Sequence, residues 1–342
     1  MSEEVDRYLW DGSGVPDPEV ARLEQVLGRY RHDAPLRPLP APPASRRRRP
    51  RLVLALALVS AAVLACVLVA SLRFHWQPNA PWAVEALSGA PRLDGKLLGP
   101  HDRLGVGQEL VTGADSRARI RVARIGIVEV EPNSRLRLLA TTSDRHRISL
   151  ERGKISARTW APPFTFAVDT PSAQAFDLGC AFTLEVDEDG SGLLRVTSGW
   201  VQLEGEEWQT LVPQGAVAES RISYEPGSPY YEDASPAFRT ALREINFGPG
   251  TGTEYQAALA TLLKQARKRD VITLLNLLRR LPQEDRGRVF DRAAELFPPP
   301  PGGGTRAAVV RGDPDVIDPW FHSLGLGNVK RWWIYWKDAL VL

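Results

Sequence analysis

Residues 110–122 read LVTGADSRARIRV, and this stretch decides the fold of the central part of the chain. Its second half alternates apolar Ala118, Ile120 and Val122 with three arginines, a period of two that is typical of a half-buried β-strand. The Thr-Gly-Ala-Asp sequence at 112–115 precedes this half and has the composition of a turn. The stretch therefore predicts a turn followed by a strand with one apolar and one charged face.

The same two-residue period recurs along residues 95–223, where turn sequences rich in Gly, Asn and Asp separate about eight to ten short strands. No helical period lies between them. We therefore expect an all-β domain over 95–223, built either as a sandwich or as a solenoid. The apolar positions behind this prediction are Leu136, Leu138, Ile148, Leu150, Phe164, Phe166, Val168, Phe182, Leu184, Val186, Leu194, Val196, Val201 and Leu203.

Residues 52–72 read LVLALALVSAAVLACVLVASL and contain no charged side chain. As a helix this segment would be about 30 Å long, the thickness of the hydrocarbon core of a bilayer. A basic run directly precedes it, and such residues stay on the cytoplasmic side of a span. We expect a single-pass protein of the bacterial inner membrane, with 1–51 cytoplasmic, 73–94 as a linker, and the following domains periplasmic or otherwise extracytoplasmic. The basic run consists of Arg46, Arg47, Arg48, Arg49 and Arg51.

Two other interpretations of this segment fit less well. A cleaved signal peptide would have an apolar core that is too long and begins too late in the chain. A lipoprotein site at Cys66 is opposed by the apolar residues that continue to Leu72. With Cys66 inside the span, Cys180 has no intramolecular partner, so we expect it to be buried and inert, with a reactive or intermolecular thiol as the alternative.

The charge distribution bears on the class of partner. Residues 73–342 carry 33 basic and 33 acidic side chains, so this part of the chain has no net charge. A neutral domain argues against direct binding of nucleic acid, which needs an excess of Lys and Arg. Protein partners in the envelope are expected instead, and lipid is contacted through the one span.

The cytoplasmic segment contains one predicted amphipathic helix. Asp17 is a candidate N-cap, and Pro18 occupies the first helical position. An isolated helix of this length is marginal in water unless its apolar face docks. The helix is either a partner-binding peptide or a frayed tail that packs on the membrane surface or on a second copy, and both interpretations stay open. Its apolar face comprises Val20, Leu23, Val26 and Leu27, continued by Tyr30.

After a Pro- and Tyr-rich linker, the period changes to that of helices, which predicts an all-α bundle over 236–297. Residues 305–342 form an aromatic-rich tail in which Trp332, Trp336 and Leu340 share one side of a predicted helix, with Trp333 beside them. These tryptophans either cap the bundle or form a docking surface for a partner, a glycan or a membrane interface.

The order of the β segments resembles the FecR domain. The resemblance rests on LVTGADSRARIRV, VEVEPNSRLRL, ISLERGKISA, PFTFAVDTPSAQAFDLGCAFTLEV and RVTSGWVQLEG, in that order. Where that family has Gly-Thr before a strand Phe, this chain has Gly179 and Cys180 before Phe182, which favours Cys180 as a core residue.

The resemblance implies a single-pass signalling protein that senses an envelope partner and controls an extracytoplasmic-function sigma factor from its cytoplasmic part. The expected architecture is a multidomain membrane protein with one transmembrane helix, an all-β FecR-like domain and a C-terminal helical bundle. The cytoplasmic part offers one helix, and with His32 and no Cys it lacks a zinc-binding constellation. A membrane-anchored envelope scaffold without a transcriptional role is the alternative function.

No enzyme is expected. The five histidines are scattered, and the chain has no GxSxG sequence, P-loop or CxxC pair. The acidic run Asp187, Glu188 and Asp189 is explained by a solvated hairpin turn. Neither a catalytic residue nor a cofactor or metal ligand is therefore assigned.

Overall fold

The computed structural model describes residues 13–31, 60–61, 63–64, 78–302, 304–313 and 316–324. The chain divides into two compact units, Met1–Val67 and Leu68–Leu342. In the first unit, helix α1 spans Pro18–Leu27, and a 3-10 turn follows at Gly28–Tyr30. The helix begins where the sequence predicts, because the Asp17 carboxylate accepts a 2.8 Å hydrogen bond from the Glu19 N–H.

The predicted span at 52–72 lies outside the described residues, apart from four helical residues at 60, 61, 63 and 64. None of the helices in the described ranges is both long and apolar enough to cross a membrane. The arginine run at 46–51 also lies outside them.

The second unit begins with a β-rich region. Its strands are β1 (Trp82–Ser88), β2 (Arg92–Leu93), β3 (Lys96–Leu97), β4 (Arg103–Leu104), β5 (Glu109–Val111), β6 (Arg117–Val122), β7 (Gly126–Val130), β8 (Arg135–Thr141), β9 (His146–Thr159), β10 (Phe166–Asp169), β11 (Gln174–Asp177), β12 (Ala181–Val186), β13 (Gly192–Ser198), β14 (Trp200–Glu204), β15 (Gln209–Pro213), β16 (Ala216–Ser220) and β17 (Tyr230–Tyr231).

These strands form two sheets. Sheet A has the order β4-β1-β6-β7-β9-β12-β13-β16-β17. Sheet B has the order β3-β2-β5-β8-β9-β10-β11-β14-β15, and its pairs are antiparallel except β9 with β10. The long strand β9 belongs to both sheets, since its first half pairs with β8 and β10 and its second half with β7 and β12.

Side chains along the strands alternate between buried and outward positions, and the buried ones of both sheets belong to one apolar core. Trp82 of sheet A illustrates the packing, because its indole N–H donates to Thr141 Oγ1 of sheet B over 3.0 Å. The result is a sandwich of two sheets. Strands later in the chain mostly lie further along each sheet, which is a feature of a solenoid, so each of the two predictions describes part of the fold.

The boundaries of the β region differ from those expected. β1 begins at Trp82, inside the segment predicted as a linker, and β17 lies in the second predicted linker, where it pairs with β16. Phe164 lies in a turn, with a φ of +66°, and not in a strand. The residue is 48% exposed, and its ring centroid lies 6.0 Å from that of Phe176.

The helices are α2 (Pro236–Phe247), α3 (Gly252–Gln265), α4 (Val271–Arg280), α5 (Gln283–Leu296), α6 (Arg306–Arg311) and α7 (Asp318–Ser323). Four leucines of α4, Leu274, Leu275, Leu277 and Leu278, are buried. Asp270 occupies the N-cap position of α4, but its carboxylate accepts from the backbone N–H and Nε of Arg267 rather than from α4. Trp320 of α7 is fully buried, and its indole N–H donates to Phe297 O over 3.1 Å, so this part of the predicted tail packs on α5.

Candidate interaction sites

The apolar face of α1 is the first candidate site. Leu23 is 59% exposed, Val26 43%, Leu27 60% and Tyr30 76%, while Val20 is half-buried. No residue of α1 is buried. Four large apolar side chains on one exposed face form a surface that would be stabilised by contact with another molecule.

The tryptophans predicted as a second docking surface, Trp332, Trp333 and Trp336, lie outside the described residues. The structure therefore does not place them relative to α1 or to the helices.

The outward faces of the two sheets carry ion pairs between neighbouring strands. On sheet A, Arg119 binds Glu129 at 2.9 Å and Glu85 at 3.0 Å. On sheet B, Arg147 binds Asp169 at 2.7 Å. An exposed ion pair contributes little stability. A charged side chain that is paired within the sheet is, however, less available to a partner than an unpaired one. The acidic run Asp187, Glu188 and Asp189 is exposed at the β12–β13 turn, as expected.

A buried polar cluster lies where β11 ends. The Asp177 carboxylate accepts hydrogen bonds from the Thr159 hydroxyl and from the Cys180 thiol. Burial raises the pKa of Asp177 to about 6, although these donors and the backbone N–H groups of Gly179 and Cys180 lower it. Burial also raises the pKa of the Cys180 thiol, and the Asp177 charge raises it further. Cys180 is a buried core residue, as predicted, and its raised pKa favours the protonated thiol over the reactive thiolate.

His146 forms a second buried polar group, at the start of β9. Its Nδ1 lies 2.8 Å from Thr141 Oγ1, and its ring packs edge-on against Trp82 at 5.8 Å. Burial lowers the pKa of His146 to about 4, so the imidazole is neutral at physiological pH. Since Trp82 donates to the Thr141 oxygen, the Thr141 hydroxyl can donate to Nδ1 of the neutral ring.

The helices dock on the end of the sandwich through polar contacts that the sequence does not reveal. The Arg280 guanidinium donates to Pro226 O over 2.7 Å, and Thr273 donates to Pro229 O over 2.6 Å. Arg243 of α2 binds Glu219 of β16 through both carboxylate oxygens, at 2.8 and 3.1 Å. A cavity of about 300 Å³ at this junction is lined by Trp208 of the β14–β15 turn and by residues of α4, α5 and α6.

In the described part of the chain, no group of three or more His, Cys, Asp or Glu side chains could hold a metal ion.

Comparison with known proteins identifies the central part of the sandwich. Residues 108–202, from the start of β5 into β14, match the family model described as FecR protein. The chain contains a FecR domain. The matched residues do not include β1 to β4, β15 to β17 or the helices α2 to α7.

Two crystal structures of a candidate anti-sigma factor from Parabacteroides distasonis ATCC 8503, at 1.65 and 2.50 Å resolution, are similar to the chain that contains this FecR domain. Each shares 20% sequence identity over 40% of this chain, with a TM-score of 0.32. The match spans 64% of those chains, less than two thirds of their length. No match to a curated protein was found.

Proposed function

We propose that this protein is a FecR-like signal transducer that spans the bacterial inner membrane once. In this proposal, residues 52–72 cross the membrane, the sandwich and helices receive a protein signal outside the cytoplasm, and α1 contacts an extracytoplasmic-function sigma factor inside. The observation that carries the proposal is the FecR domain at 108–202.

The exposed face of α1 supports the cytoplasmic half of this proposal. Leu23, Val26 and Leu27 lie on one side of a helix with a defined N-cap, so the helix can present them to a groove on a partner. An α-helix that docks in this way uses anchors three and four residues apart, which is the spacing of these side chains.

The arginine run and the uncharged segment of the sequence support the proposed topology, with the N-terminus inside. We also propose that the protein acts by binding rather than by catalysis; the buried titratable groups His146, Asp177 and Cys180 are engaged in hydrogen bonds within the core.

The sigma-factor contact is tested by replacing Leu23 and Leu27 with Glu in the full chain. Each charge would lie in the apolar contact, so we expect the double variant to lose co-purification of the sigma factor encoded nearby and to change transcription from its promoters. Gln25→Glu is the matched control, because it adds a charge on the opposite side of α1. Equal binding by the double variant, or unchanged transcription after deletion of the gene, would contradict the sigma-factor contact and support the envelope scaffold function instead.

The topology is tested separately by labelling with a membrane-impermeant maleimide in intact spheroplasts. Glu206→Cys, in an exposed turn of the sandwich, is expected to react, whereas Gln25→Cys in α1 is expected to react only after lysis. Reaction of both sites before lysis, or the reverse pattern, would contradict the proposed orientation.

A further inference from the structure

The outward face of sheet A carries side chains in rows that cross the strands. In one row, Glu85, Arg119 and Glu129 occupy facing positions on β1, β6 and β7, and both carboxylates bind Arg119. The row continues through Ser156 and Thr183. We call it the paired row.

A second row lies two residues from the paired row along each strand that the two rows share. We call it the arginine row. It crosses six neighbouring strands, β4, β1, β6, β7, β9 and β12, and places an arginine on every second one. The arginines are exposed, and the strands between them carry small or aliphatic side chains. In order, the row comprises Arg103, Ala83, Arg121, Ile127, Arg158 and Ala181.

The three arginines of this row have no carboxylate within 4.0 Å among the described residues, whereas Arg117, Arg119 and Arg195 of the same sheet each have two. The acids beside the row are already engaged: Arg119 binds Glu85 and Glu129, and Asp102 accepts a 2.8 Å hydrogen bond from the Gly99 N–H. Three arginines in line without a carboxylate partner can therefore attract an anionic partner to this row.

A depression of about 340 Å³ lies between the arginine row and the paired row. Small side chains line it, among them Ser156, Ala181, Thr183 and Thr197, together with the charged side chains of Arg119, Glu129 and Arg158. A flat membrane surface would not fill such a depression, whereas the side chains of a protein partner would.

The spacing of the arginines selects the kind of partner. Arginines two strands apart are separated by about 9.6 Å, given a strand spacing of about 4.8 Å. Residues on one side of an extended chain repeat about every 6.8 Å, which does not match. Residues seven apart on an α-helix lie about 10.5 Å apart on nearly the same side, and apolar residues between them would meet Ala83, Ile127 and Ala181.

We propose that the arginine row and the depression beside it bind an acidic amphipathic helix of a protein partner, with acidic residues at intervals of seven. This contact involves sheet A alone, so it requires neither α1 nor the span. The arginines are spaced nearly as the acidic residues of such a helix are. The site therefore favours the one register of the helix in which each acidic residue meets an arginine.

The test uses the full chain in phosphatidylcholine nanodiscs and a labelled helical peptide with Glu at every seventh position and Ala and Leu between. We expect binding that weakens as salt rises to about 0.3 M. The variant with Arg121→Glu and Arg158→Glu should bind about tenfold more weakly or worse, and should instead bind the peptide with Lys in place of Glu. The variant with Lys96→Glu and Arg152→Glu, which makes the same charge change off the row, should bind as the wild type does.

A second peptide of the same length and composition, with its Glu residues five positions apart, tests the register and should bind weakly because its acids lie on different sides of the helix. Equal binding of the two peptides, equal binding by the wild type and the row variant, or the absence of salt-sensitive binding at millimolar peptide would overturn the proposal. So would binding of phosphatidylglycerol vesicles by the row without binding of the peptide, since that result would assign the row to a membrane surface.

Discussion

Asp177 is a buried carboxyl group whose charge opposes folding at neutral pH. Its pKa of about 6 in the folded protein exceeds the value of about 3.9 in an unfolded chain, so the folded state holds the proton more tightly. The stability that protonated Asp177 contributes is therefore full below about pH 3.9 and is lost as the pH rises through about 6. The free energy of unfolding of the Asp177→Asn variant minus that of the wild type should therefore rise by about 2 kcal/mol from pH 4 to pH 7. Urea unfolding at both pH values measures this, and a pH-independent difference would contradict it.

His146 has the opposite dependence. Its pKa of about 4 lies below the unfolded value of about 6.5, so its contribution is present above about pH 6.5 and is lost as the pH falls through about 4. Relative to the wild type, His146→Gln should gain about 3 kcal/mol in free energy of unfolding from pH 7 to pH 4, because Gln takes up no proton. His101→Gln, which removes an exposed imidazole from a turn, is the control for the loss of a histidine. If both variants behave alike in urea unfolding, His146 does not titrate as its burial predicts.

At the scale of elements, β9 joins the two sheets by changing partners between Arg152 and Gly153. Gly153 has φ +90°, and a Cβ there would lie 2.3 Å from Oγ of the buried Ser134. Gly153→Ala should therefore cost about 2 to 4 kcal/mol in free energy of unfolding, through backbone strain and a clash within the core. Gly95→Ala, at φ +77° with open space around it, should cost only about 1 kcal/mol. Thermal unfolding compares the two variants, and equal losses would show that the close approach to Ser134 is unimportant.

The passage of β9 between sheets also marks the limit of what the sequence predicts. Strands such as β6 and β12 are recognisable because each alternates apolar and polar residues through its own length, and α1 and α2 because each has an N-cap and a helical period. The two-residue strands β2, β3, β4 and β17 are too short to carry a period, and they exist because a neighbouring strand offers hydrogen bonds. The change of sheet within β9 depends on partners far away in the chain.

The candidate sites divide along the same line. The apolar face of α1 is local, so its residues could be predicted from their spacing alone. The arginine row is not local, because residues from 83 to 181 meet in it only through the register of six strands. The sequence shows three arginines in β6, but only the pairing separates Arg121 from the two that bind glutamates.

At the scale of the whole second unit, Arg280 links the helices to the end of the sandwich. Its guanidinium is half-buried, it donates to Pro226 O, and burial lowers its pKa. Removing it leaves that carbonyl with the weaker hydrogen bond from the Thr210 hydroxyl, which costs about 1 kcal/mol. We therefore expect Arg280→Leu to loosen the segment between β16 and α2, and limited proteolysis should cleave within residues 221–229 faster than in the wild type.

The matched control for this substitution is Arg239→Leu, which removes an exposed arginine of α2 and should leave the cleavage rate unchanged. If the helices and the sandwich are coupled mainly through Arg280, the variant should also unfold in two thermal steps where the wild type unfolds in one, although the buried side chains of both parts belong to one apolar cluster. A single transition at lower temperature with unchanged cleavage would mean that Arg280 stabilises the unit without coupling its parts. Such coupling matters for the proposed function, because a partner bound to sheet A would influence the helices only through contacts that respond together.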